Sequence, residues 1–146
     1  MNKLFISTSV EETTDLGRRL GKVLKPGDVV ALDGDLGAGK TVITRGITEG
    51  LGLMSEDVCS PTFTIVNEYT DPADKIPVFH FDTYRLSGED DFLAAGLDEY
   101  FYRDGVCVIE WSSVIEGLLP ENTVRITIKG TGDKREITID DPEERL

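Results

Sequence analysis

Gly34, Gly39, Lys40 and Thr41 stand at the spacing G-x-x-x-x-G-K-[ST] within GDLGAGKT (34–41), and Gly37 adds a further glycine. That spacing suits one kind of chemistry. Glycines let a backbone wrap closely round phosphate oxygens, in part at positive φ. Successive amides then point inward at the positive end of the following helix, where anions bind. Lys40 would reach the outer phosphates, and the Thr41 hydroxyl would ligate magnesium. A glycine-rich turn with an incidental lysine is the alternative. It would not need the strand-like run before the loop (29–33) or the helical pattern after it (40–51), and both are present. The motif therefore predicts a P-loop that binds and hydrolyses ATP with Mg2+.

Further polar residues follow apolar runs, where a reaction would need them. Glu110 ends the run 106–109, so its carboxylate is expected at a strand's C-terminal edge, where open α/β sheets bind ligands. This is the place of a magnesium-holding acid, although an exposed strand-end glutamate would read the same. His80, Asp82, Tyr84 and Arg85 follow the run 77–81, and alternation puts His80 and Asp82 on one side. Asp82 suits a water-orienting or metal-water role, and Arg85 a phosphate contact or a loop brace. For His80 the plainer reading, a core histidine with its hydrogen bonds satisfied, is preferred. Ser60-Pro61-Thr62 lies about ten residues beyond the P-loop helix. Thr62 fits either a γ-phosphate sensor or an ordinary turn. Trp111, the single tryptophan, directly follows Glu110.

The elements that must position these residues can be read from pattern. Residues 3–7 suit a short strand, and Ser9 with Glu12 reads as a capping box opening a helix to about Leu24. Leu16, Leu20, Val23 and Leu24 supply its apolar stripe. Gly50 and Gly52 mark the end of the P-loop helix. Residues 63–69 and 78–82 suit strands, 87–102 a helix broken at Gly96, and 106–109 a buried parallel strand. Residues 123–129 and 135–140 alternate about a Gly-Thr-Gly-Asp turn, as a hairpin with one solvated face. The expectation is one domain over 1–146, a three-layer α/β P-loop NTPase-like fold, with a mostly parallel sheet and a C-terminal antiparallel hairpin.

Bulk properties narrow the functions. The formal net charge of −13 over 146 residues argues against direct nucleic-acid binding. Any role on RNA would have to run through a partner protein. Cys59 and Cys107 are far apart and outside any CxxC pattern, which argues against a disulfide scaffold or zinc site. Neither a secretory signal nor an apolar run long enough for a membrane span is found, so a cytoplasmic location is expected.

Taken in order, GDLGAGKT (34–41), SPTF (60–63), HFDTYR (80–85) and IEW (109–111) resemble the bacterial TsaE family, also called YjeE/YdiB. Those are small ATPases of tRNA threonylcarbamoyladenosine (t6A) synthesis, and the resemblance spans nearly the whole chain. It implies that Leu36, Gly37, Ala38, Gly39, Lys40 and Thr41 cradle the phosphates, with Gly34 opening the loop. It also implies that Thr41 and Glu110 hold magnesium, Thr62 belongs to a switch-like loop, Asp82 is functionally important and Trp111 lies beside the nucleotide. Ser9 or Thr13 and Lys134 or Arg135 are candidates to approach the adenine. The family role implies partnership with a TsaB–TsaD synthase that handles the tRNA, with turnover weak alone.

Other functions compete with that reading. A GTPase is disfavoured because no [NT]KxD run is present. A small-molecule phosphotransferase would usually carry an arginine-rich lid, and the arginines here are scattered. A nucleotide-dependent regulatory module, in which turnover is incidental, remains the other alternative.

Overall fold

The computed structural model describes residues 2–34, 39–54, 56, 58, 61, 65–71, 73, 75–131 and 133–146. Seven strands form one sheet: β1 (Asn2–Ser7), β2 (Val29–Gly34), β3 (Val66–Tyr69), β4 (Val78–Asp82), β5 (Val106–Glu110), β6 (Val124–Thr131) and β7 (Lys134–Asp140). Their spatial order is β1-β7-β6-β2-β5-β4-β3. The central β6-β2-β5-β4 group is parallel. The β6–β7 hairpin is antiparallel, as expected, and β1 and β3 join antiparallel at the two margins. All five residues of β5 are buried, because helices cover both faces there.

One face carries α1 (Val10–Val23) and α2 (Lys40–Gly50), whose Leu16, Leu20, Ile43 and Ile47 pack on Val30, Leu32, Val108 and Ile126. The opposite face carries α3 (Glu89–Ala94) and two 3₁₀ segments, Leu97–Tyr102 and Ser112–Leu118, over Phe79, Phe81, Cys107 and Ile109. The fold is thus three-layered, with the break at Gly96 where the sequence placed it. Among the described residues no helix is long and apolar enough to cross a membrane.

Two local expectations change. Ser9 caps α1 by accepting the Glu12 amide, but the Glu12 carboxylate turns to Thr8, taking its amide at 2.7 Å and its hydroxyl at 2.5 Å. The capping box is therefore displaced by one residue. Gly52, at φ 89°, closes α2 in a Schellman arrangement, with its amide on the Glu49 carbonyl and the Leu53 amide on that of Thr48. Gly50 has another duty. With Gly46 it faces Gly17 and Gly21 of α1, and a Cβ at any of the four would lie 2.3–2.5 Å from a backbone oxygen of the other helix. That seam draws α2 tightly onto α1.

Candidate functional site

Because β2, β4 and β5 are parallel, Gly34, Asp82 and Glu110 arrive at one edge of the sheet. Leu32 and Asp82 are both register partners of Glu110. Alternation sets Asp82, Glu110 and His80 on the face covered by α2. The start of α2 lies at this edge, since Lys40, its first residue, reaches Glu110; a helix N-terminus carries free amides that suit an anion. Gly39 caps α2 at φ 105°, and among the described residues nothing lies within 4 Å of where its Cβ would be. Its requirement for glycine is conformational rather than one of space. Gly34 differs: a Cβ there would meet the Ile128 carbonyl oxygen at 2.6 Å, so β2 needs glycine to lie close on β6. Leu36, Gly37, Ala38 and Thr62 lie outside the described residues.

The first turn of α2 brings Lys40 inward. Its ammonium lies 3.6 Å from Glu110 Oε1 and 5.4 Å from the Trp111 ring centroid, a cation–π geometry. The other Glu110 oxygen accepts a short hydrogen bond from His80 Nε2 at 2.6 Å, and His80 Nδ1 is 3.2 Å from the Tyr69 hydroxyl. His80 is fully buried, so its place in the core agrees with the plainer reading; its partner, however, is the site's own acid. Thr41 follows Lys40 on the same turn and is half-buried.

Two residues that sequence reasoning passed over fix the turn after Glu110. Asp33 Oδ1 accepts the Ser112 amide at 3.1 Å, and Oδ2 accepts the Ser112 hydroxyl at 2.7 Å. From the other side, the Thr83 hydroxyl lies 2.6 Å from the Trp111 carbonyl and 3.1 Å from that of Glu110. Between these holds Trp111 adopts φ 59°, a conformation that costs a bulky residue energy and persists only under such constraint. Trp111 is 43% exposed and packs its ring against Tyr84, with centroids 4.8 Å apart. It is a wall of the site and not part of the core.

Asp82 is half-buried, and its Oδ1 accepts the Tyr84 amide at 3.0 Å. Its own amide donates to the Ile65 carbonyl, and Ile65 holds φ 66°, a second strained position beside the site. Arg85 is exposed. Ser9 and Thr13 sit at the β1–α1 junction, Thr13 buried with its hydroxyl 2.7 Å from that of Ser7. Ser7 pairs with Arg135, which pairs in turn with Gly130, so the four residues suggested for the adenine share this sheet edge. Burial pushes the Cys107 thiol up to about 12, which makes it inert as a nucleophile.

No cluster of three or more His, Cys, Asp or Glu suited to a metal occurs among the described residues. The oxygen donors present, the Thr41 hydroxyl and the Glu110 carboxylate, nonetheless suit magnesium. That ion takes one or two protein oxygens and completes its shell from phosphates and water.

Comparison with known proteins gives one consistent result. The family model described as threonylcarbamoyl adenosine biosynthesis protein TsaE matches residues 7–137. The tRNA threonylcarbamoyladenosine biosynthesis protein TsaE of Bacillus subtilis is 50% identical over 129 residues, 88% of this chain and 78% of that protein. The protein of the same name from Treponema pallidum is 41% identical, over 92% of this chain and 97% of its own. The crystal structure of Bacillus subtilis YdiB superposes with a TM-score of 0.79 at 41% identity, covering 97% of this chain and 86% of that one.

Proposed function

The chain belongs to the TsaE family of t6A biosynthesis, and on that footing we propose that it is the family's magnesium-dependent ATP-binding and ATP-hydrolysing subunit. The observation that carries the proposal is the convergence of Lys40, Glu110 and the Gly39-capped start of α2 on one sheet edge. A buried lysine paired with a carboxylate at a helix N-terminus is poised to exchange that partner for phosphate oxygens.

On this reading the triphosphate lies along the loop 34–41, and Lys40 leaves Glu110 for the outer phosphates. Thr41 and Glu110 would hold magnesium, which supplies charge neutralisation at the transferring phosphoryl group. Asp82, level with Glu110 and on the same face, would orient the attacking water and accept its proton. Thr62 is proposed to sense the γ-phosphate. Trp111 would flank the nucleotide, its backbone held by Asp33 and Thr83 so that little reordering accompanies binding.

The net charge of −13 makes the chain a poor ligand for tRNA by itself. Its link to t6A would then pass through a TsaB–TsaD-like synthase in the cytoplasm. The test is a pull-down coupled to an ATPase assay, with the chain alone and with the TsaB–TsaD pair. Association together with magnesium-dependent turnover stimulated by the pair is expected. A rate unaffected by the pair, together with no association, would count against the role, and phosphate transfer to a small acceptor would point to a phosphotransferase instead.

A further inference from the structure

Glu110 is buried and lies against Lys40 on one side, yet its second oxygen points away from the α2 terminus into the sheet. There it meets His80, at 2.6 Å from Nε2, and behind His80 stands Tyr69, with its hydroxyl 3.2 Å from Nδ1. These three side chains come from adjacent strands at staggered heights. Tyr69 is level with Val78, His80 with Val108, and Asp82 with Glu110, so each contact crosses diagonally to the next strand. No buried side-chain nitrogen or oxygen is left without a partner among the described residues.

We propose that His80 is the positioning residue for Glu110, and that Tyr69 sets the tautomer through which it acts. The inference rests on the reading of Glu110 as a magnesium-holding acid. A carboxylate only accepts hydrogen bonds, so the hydrogen between it and His80 belongs to Nε2. In the neutral tautomer that this implies, Nδ1 is bare and accepts from the Tyr69 hydroxyl at 3.2 Å. Hydrogen bonds run in one direction, from β3 through β4 to β5. With Oε2 held, the carboxylate cannot rotate, and Oε1 stays turned toward Lys40 and the start of α2. That turns Oε1 toward the metal or its water. Outer partners of this kind fix a ligand's orientation, and losing one typically costs about 10–100-fold in metal affinity.

His80 is the single histidine of the chain, which makes the tautomer directly observable. Long-range ¹H–¹⁵N NMR of the nucleotide-free protein is expected to show one imidazole, protonated at Nε2 and bare at Nδ1. Tyr69→Phe should perturb Nδ1 first. Hydrogen on Nδ1, with Nε2 either bare or also protonated, would overturn the proposal, whatever the metal does.

The second measurement is Mn2+ affinity in the presence of ADP, followed by electron paramagnetic resonance, on the full chain. His80→Leu keeps bulk but no donor, and about a tenfold or greater loss of Mn2+ affinity is expected. His80→Gln retains an amide N–H that can reach Oε2 and should recover most of that loss. Tyr69→Phe should lose less, in the same direction. Equal losses in the Leu and Gln variants would reduce His80 to packing, and an unchanged Leu variant would remove it from the site. Glu110→Gln separates the two layers of inference. If it binds Mn2+ as the parent does, the metal role of Glu110 fails and the proposal with it. If it loses affinity while His80→Leu does not, the positioning role alone fails.

Discussion

Asp33 grips Ser112 with both carboxylate oxygens, joining the end of β2 to the turn that follows β5 across 79 residues of sequence. Asp33 is the penultimate residue of β2, and Trp111 immediately precedes Ser112. One carboxylate therefore ties the end of β2 to the turn that carries Trp111.

Replacing Asp33 by Ala leaves the Ser112 amide and hydroxyl unpaired and frees a residue held at positive φ. A stability loss of about 1–3 kcal/mol is expected in urea unfolding. The Trp111 emission maximum should shift in the folded variant. An unchanged unfolding midpoint would mean that the Thr83 bonds alone hold the turn.

Trp111 should report nucleotide. It is the only tryptophan, it is partly exposed, and the Lys40 ammonium lies over its ring. Withdrawing that cation to a phosphate changes the ring's surroundings, so titration with ADP or ATP should alter its fluorescence. A flat response despite binding seen by calorimetry would place the nucleotide away from this wall.

Glu110→Ala should separate binding from turnover. Phosphate contacts from Lys40 and the α2 amides survive, so metal-free ADP affinity should stay within a few-fold of the parent. Turnover with magnesium should fall by about a hundredfold or more, as expected for loss of a group acting on transition-state charge. Equal turnover would remove Glu110 from the metal site.

The seam between α1 and α2 predicts a stability effect remote from the chemistry. Gly46→Ala would place a Cβ 2.3 Å from the Thr14 carbonyl oxygen, and Gly17→Ala one 2.5 Å from that of Ile43. The helices must separate, at about 1–3 kcal/mol each, even though alanine favours a helix. Thermal unfolding should show a lower midpoint for both. A raised midpoint would mean that propensity outweighs the clash.

Acid sensitivity is expected from Asp141. Burial by itself would raise its pKa. The amides of Leu146 and Arg145 and the Arg145 guanidinium, at 2.6 Å, outweigh that and hold it below the ordinary carboxylate value. A depressed folded pKa stabilises the protein above the unfolded value of about 3.9, and the benefit is lost as pH falls through the folded value. Asp141→Asn should therefore be less stable than the parent at pH 7, with the gap narrowing below about pH 4. A gap independent of pH would mean that shape, not charge, anchors the C-terminus.

The sequence revealed the parts of this molecule whose information is local. Lys40 and Gly39 belong to a contiguous motif, and Glu110 and Asp82 each end an apolar run, so strand direction alone carries them to one edge. Asp33 and Thr83 were missed because neither has a local pattern; their roles exist only once β2, β4 and β5 lie side by side. His80 was rightly placed in the core, yet its partner depends on a diagonal step across two strands. The seam glycines stand at four-residue spacing on both helices, but their role needs the helices side by side and went unread. Gly50 does end α2, as expected, and also belongs to that seam. At the margins, β1 and β3 were read as strands, but strand periodicity does not name a partner, so their antiparallel joins to β7 and β4 were not.

On the proposed reading, the loop around Lys40 receives the phosphates of ATP. Isothermal titration calorimetry of ATP into the parent chain and into Lys40→Ala tests it most directly. Saturable one-to-one binding by the parent is predicted, with affinity lost by at least about tenfold when the charge-assisted phosphate contacts of Lys40 are removed. Equal affinity in the two proteins, or no binding by the parent, would contradict the account.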